Sequence, residues 1–88
     1  MNTLLNTKRI EPTEMKIGDH MLKEGFVYAI TEIVVRDSSK DYGKDIGLVY
    51  GVNGTYVSGD IEMFNYFSRN GKTAYQQGND LAVWIRVA

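Results

Sequence analysis

The segment from Phe26 to Val35 limits the choice of folds more than any other. Read as a strand, it sets Val27, Ala29, Thr31, Ile33 and Val35 on one face and Phe26, Tyr28 and Ile30 on the other, because side chains alternate across a strand. One half is apolar on both faces; the other turns polar at Glu32 and Arg36. Such a strand belongs in a sheet that bends from one layer into another, since a flat open sheet leaves its two-faced half exposed. The rest of the chain has the same grain. Short apolar runs are separated by Gly, Asn and Asp, and nine glycines stand against one proline, which is the rhythm of an all-β domain.

Along the chain, a polar arm (residues 1–6, expected to be flexible) precedes a short strand over Thr7 to Ile10. Met15 to Asp19 reads as a turn into a strand from His20 to Lys23. Glu24-Gly25 then closes a tight hairpin, because glycine supplies the positive φ that such turns need. Ile46, Leu48, Tyr50 and Val52 form another alternating face, with Gly47 and Gly51 opposite, where absent side chains permit coiling. Asn53-Gly54 is a strong hairpin dipeptide and predicts a turn, with Thr55 to Ser58 as the returning strand. Asp60 suits a helix N-cap, Glu62 the first turn, and Asn70-Gly71 the end. Ile61, Met63, Phe64 and Phe67 share one arc of that helix, which is expected to plug a barrel end. Strands over Thr73 to Gln77 and Leu81 to Val87 flank Gln77-Gly78-Asn79-Asp80. In the last strand Leu81, Val83, Ile85 and Val87 share a face, with Trp84 on the other. The expected fold is mainly β, a single domain over 1–88. It is a small SH3-like or OB-like barrel of about five to seven short strands with one short helix, because closure removes exposed edges.

Composition narrows the chemistry. A formal charge of −1 and a pI near 5.7 provide no basic excess to drive binding to phosphates. No apolar run approaches the roughly 18–20 residues of a membrane helix, and MNTLLNTKRI has no apolar leader core, so a cytoplasmic protein is expected. With no cysteine there is no disulfide, thiolate metal site or thiol nucleophile. His20 is the sole histidine, and the neighbouring Asp19 points to the opposite face of a strand. The loop Asp37 to Asp45 offers Asp37, Ser39 and Asp41 at the spacing of a calcium loop. Leu48 stands where the closing Glu belongs, and Lys40 and Lys44 intrude. Asp60 and Glu62 are explained by the helix start, and neither GxxxxGK[ST] nor GxGxxG occurs. The expectation is a non-enzymatic chain without metal or cofactor.

The aromatic residues remain. Phe26, Phe64 and Phe67 are expected in the core. Tyr42 on the loop, Tyr56, Tyr66 at the helix edge, Tyr75, and Trp84 on the non-core face of its strand are the candidate partner-binding residues. Exposed Tyr and Trp anchor protein interfaces and also stack on single-stranded nucleic acid. The near-neutral charge favours a protein partner, a host protein or a second copy. Packing of Trp84 on Tyr75 across a strand pair is the plain structural alternative.

Gln77-Gly78-Asn79 followed by Trp84 resembles the ending of a group of small uncharacterised proteins of tailed phages and prophages. Gly18-Asp19, the Gly25 turn and the strand after it are similar to that group as well. Where those proteins often carry a second tryptophan, this chain has Ala74 and Tyr75. The resemblance implies a phage or prophage origin. It suits an accessory protein that binds a host protein, such as a component of host defence. A nucleic-acid-binding β-barrel, or a minor virion or self-assembling component joined through an exposed edge strand, are the alternatives.

Overall fold

The computed structural model describes residues 6–37, 47–68, 70–79 and 82–88. In chain order these hold β1 (Thr7–Arg9), a 3-10 turn (Pro12–Glu14), β2 (His20–Lys23), β3 (Phe26–Asp37), β4 (Leu48–Gly59), α1 (Ile61–Phe67), β5 (Thr73–Gly78) and β6 (Ile85–Val87). All six strands lie in one antiparallel sheet, ordered β1-β6-β2-β3-β4-β5. The mainly β class read from the glycine-punctuated runs holds. The closed barrel does not: β1 and β5 are the two edges, and among the described residues no strand pairing joins them.

The sheet nevertheless curls. β5 and β6 are consecutive in the chain, yet β2, β3 and β4 lie between them in the sheet. On a flat sheet that gap is about 19 Å, four strand spacings. In the link between the two strands Ala82 N donates to Asn79 O at 3.1 Å. Curling shortens the gap. Tyr28 on β3 reaches past β4 to β5, its Oη donating to Gln76 Oε1 at 2.7 Å. Gln76 Nε2 in turn donates to Val83 O in the link at 3.4 Å. The concave face buries Met21, Tyr28, Ile30, Tyr50, Val52 and Ala74. Ile10 and Met15 join it from the N-terminal segment, Phe64 from α1 and Trp84 from the link.

Register explains where the two-faced strand sends its side chains. Ile30 lies opposite Gly54 and Glu32 opposite Asn53, so Thr31 is an unpaired bulge residue. An extra residue reverses the alternation, and Ile33 returns to the face that holds Tyr28 and Ile30. Asn53-Gly54 is therefore not a hairpin turn; both residues lie inside the twelve-residue β4. Gly54 is glycine for another reason. A Cβ there would lie 2.2 Å from Tyr28 Cδ2 and 2.6 Å from the Ala29 carbonyl oxygen, so the strands could not approach as they do.

Local signals fared better. Glu24 and Gly25, at φ of 48° and 85°, form the expected two-residue turn with Lys23 opposite Phe26. The Asp60 carboxylate accepts from the backbone N–H groups of Glu62 and Met63 at 3.1 and 3.2 Å, a cap contributing about 1 kcal/mol. The helix stops at Phe67 with Ser68 as C-cap, short of Asn70-Gly71. Phe64 is buried and Met63 and Phe67 are half-buried, but Ile61 is exposed. The helix packs against β3, β4 and β5 rather than plugging a barrel. The last strand begins only at Ile85, and its expected faces are reversed: Val83 is exposed and Trp84 is fully buried. Leu81, Ile46, residues 1–5 of the N-terminal arm and nearly all of the Asp37 to Asp45 loop lie outside the described residues.

Candidate protein-binding surface

At the α1 end of the sheet the core comes to the surface through a run of rings. Phe26, at the start of β3, is fully buried and packs edge-on against Phe64 of α1, centroids 5.5 Å apart at 87°. Phe64 meets Tyr56 of β4 at 5.4 Å and 71°. On the other flank Phe26 lies 6.1 Å from Phe67, and Phe67 meets Tyr66 at 5.2 Å and 81°. Edge-to-face pairs of this kind add about 0.5–1.5 kcal/mol each beyond their burial. The run ends in solvent at both sides, with Tyr56 at 38% exposure and Tyr66 at 79%.

Each terminal tyrosine is held from below. Tyr56 Oη donates to the Gly59 carbonyl at 2.6 Å, which fixes the ring beside the β4–α1 junction. Tyr66 stands on the edge of Phe67, whose ring lies 4.6 Å from Lys23 Nζ, a cation over an aromatic face. Ile61 and Val57 add exposed apolar area at the same end. Rings already fixed by packing lose little freedom on contact with a partner, while their hydroxyls can still hydrogen-bond. Chemically, this surface is suited to docking.

The five candidate residues are not brought together. Tyr56 and Tyr66 flank α1 as described. Tyr75 is half-buried on the convex face, opposite Asn53, where its ring lies over Gly51 and its Oη donates to Gln77 Oε1 at 3.1 Å. Trp84 is fully buried, its Nε1 donating to Asn79 O at 3.1 Å, so in this fold it is a core residue and offers no surface to a partner. Trp84 and Tyr75 therefore do not pack on each other across a strand pair. Tyr42 lies outside the described residues. The sequence reading missed Lys23, whose place over Phe67 depends on where the β2–β3 hairpin meets α1. The approach of a hairpin to a helix has no local signature.

His20 is exposed on β2, opposite Ala29 and Val87. Among the described residues no group of three or more His, Cys, Asp or Glu could hold a metal ion, and no helix is long and apolar enough to cross a membrane. Tyr28 is a titratable group of the core. Burial pushes the Tyr28 phenol well above its ordinary value of 10.0, because a phenolate there would lose its hydration. The folded value being the raised one, the unfolded chain releases its proton first. The associated stability is fully present below pH 10 and is lost as pH rises beyond it. Above that pH, wild-type stability should fall by about 1.4 kcal/mol per pH unit more steeply than that of Tyr28→Phe. At neutral pH the variant should be about 1 kcal/mol less stable for the lost Gln76 bond. Urea denaturation of both proteins at stepped alkaline pH checks this, and parallel slopes would contradict it.

Compared with protein-family models, with curated proteins and with solved structures, the chain matches none.

Proposed function

We propose that this chain is a protein-binding module without catalytic chemistry, which docks a partner protein on the aromatic surface around α1. The observation that carries the reading is Tyr66, a large ring at 79% exposure that nonetheless meets, edge-to-face, a ring series rooted in the buried Phe26. Exposed tyrosines packed against a core ring are typical interface anchors. The near-neutral charge supports a protein over a nucleic-acid partner, since binding to phosphates draws on a positive surface. The resemblance of the Gln77-Gly78-Asn79…Trp84 ending to small phage proteins supports a host protein in the bacterial cytoplasm as the partner.

The test is affinity capture from bacterial lysate by immobilised wild-type and Tyr66→Ala proteins, followed by titration of the protein captured. Tyr66 is exposed, so its truncation should cost no more than about 0.5–1.5 kcal/mol, that of its edge contact with Phe67, and leave the chain folded, while weakening binding about thirtyfold, the loss expected of one interface anchor. Capture of nothing, or equal capture by both, contradicts the reading.

A further inference from the structure

The outer half of β3 has a free edge. β4 runs along one side of β3 to Asp37, whereas β2 covers the other side only from Phe26 to Ala29. Gly18 and Asp19 then bond both backbone groups of Ile30, Gly18 N donating to Ile30 O and Ile30 N donating to Asp19 O at 2.8 and 2.9 Å. Beyond that point no strand among the described residues lies beside β3.

Which backbone groups face that edge follows from the register. Both groups of Ile30 point away from β4, so Ile30 and its opposite number Gly54 form a non-hydrogen-bonded pair and Gly54 faces β5. β4 pairs with β5 without interruption from Tyr50 to Thr55, so Val52 and Tyr50 face β5 as well. Their β3 partners, Ile33 and Val35, must then turn their N–H and C=O groups to the open edge. An antiparallel strand can pair there only in registers that set these outward residues against outward residues.

One such register is satisfied by a second copy of the same segment. If two β3 edges meet about a twofold axis at Val34, Ile33 of each copy faces Val35 of the other, and each pair can exchange both N–H···O=C bonds. The same register sets Glu32 of each copy directly opposite Arg36 of the other, on the convex face that both share with Val34. Two symmetric cross-strand ion pairs then flank a Val34–Val34 contact. The Glu32 carboxylate is already held on that face, Oε1 accepting from Asn53 Nδ2 at 2.9 Å. Val34 and Val35 are 54% and 51% exposed, apolar area that self-pairing would cover. Registers displaced by two residues keep the backbone bonds but set Glu32 or Arg36 against valine. Charge complementarity therefore selects a single alignment.

We infer that the protein forms a twofold dimer by antiparallel pairing of its Glu32–Arg36 edges, continuing one sheet across two copies. This stands apart from partner docking at α1, and Tyr66→Ala should leave it unchanged. Sedimentation equilibrium of the full chain should show a concentration-dependent dimer. Glu32→Arg and Arg36→Glu should each raise the dimer dissociation constant by about tenfold or more, because like charges then face each other in both symmetric pairs. An equimolar mixture of the two variants, and the double exchange E32R/R36E, should each restore the dimer, which loss of folding could not do. Val34→Cys provides a second readout. The chain has no cysteine, and a non-hydrogen-bonded pair on the axis has the Cα separation, about 4.5 Å, that a disulfide accepts. V34C should crosslink on mild oxidation and Tyr66→Cys should not. A strict monomer at every concentration, or a dimer indifferent to E32R, overturns the inference.

Discussion

Trp84→Ala is expected to destabilise the protein by about 3–5 kcal/mol, the range for truncating a fully buried aromatic residue. A chain of 88 residues has a total stability of about 4–13 kcal/mol at the usual value per residue, so the loss is about a quarter or more of the whole. The effect is large because one side chain does two things. Its ring fills the concave face beneath the sheet, and its Nε1 bond to the Asn79 carbonyl ties down the link that draws β5 towards β6. Trp84→Phe, which keeps most of the packing and loses the donor, should cost about 1–2 kcal/mol. Urea unfolding followed by far-ultraviolet circular dichroism checks both, since Trp84 is the only tryptophan and its fluorescence is lost in the variants. A cost below about 1 kcal/mol for the alanine variant would mean that the ring is not buried as described.

Gly54→Ala should be nearly as damaging, at about 3 kcal/mol or more, although it adds a single methyl group. That methyl would sit 2.2 Å from Tyr28 Cδ2 and 2.6 Å from the Ala29 carbonyl oxygen, and a backbone atom in the neighbouring strand cannot swing aside. Relief requires β3 and β4 to separate at the centre of the sheet, loosening the Tyr28 ring and its bond to Gln76. Gly71→Ala is the control. Gly71 has a φ of +73°, but nothing lies within 4 Å of its added Cβ, so only the left-handed penalty of about 1 kcal/mol applies. If Gly54 were a turn glycine, the two substitutions would cost about the same. A much larger thermal shift for Gly54→Ala supports the uninterrupted β4; equal shifts contradict it.

These two residues also mark where reading the sequence stops. The Glu24-Gly25 turn and the Asp60 cap were legible because their causes lie within two or three residues: a positive φ, and a carboxylate reaching its own N–H groups. The phenylalanines of the core followed from strand and helix period. Gly54 was misread because the same Asn-Gly pair serves a turn or a close approach, and the ring that decides between them comes from β3. Trp84 was assigned to the wrong face because parity counts from where a strand begins, and β6 begins only at Ile85, after Trp84. The bulge at Thr31 has no signature in its own residues, and it alone returns Ile33 to the core. Closure, which depends on how far the β5–β6 link reaches, was likewise beyond local pattern. Of the surface, Tyr56 and Tyr66 were found as helix-edge rings, whereas Lys23 and the Glu32–Arg36 complementarity emerge only with the register.

The reading of this chain as a docking module is tested most directly by titrating the captured protein into the isotopically labelled chain and following its amide resonances. The account predicts perturbations centred on Tyr66, Ile61, Tyr56 and Lys23, with the His20 and Arg86 side of the sheet little changed. Perturbations centred on β1 and β6, with the α1 end silent, would contradict it.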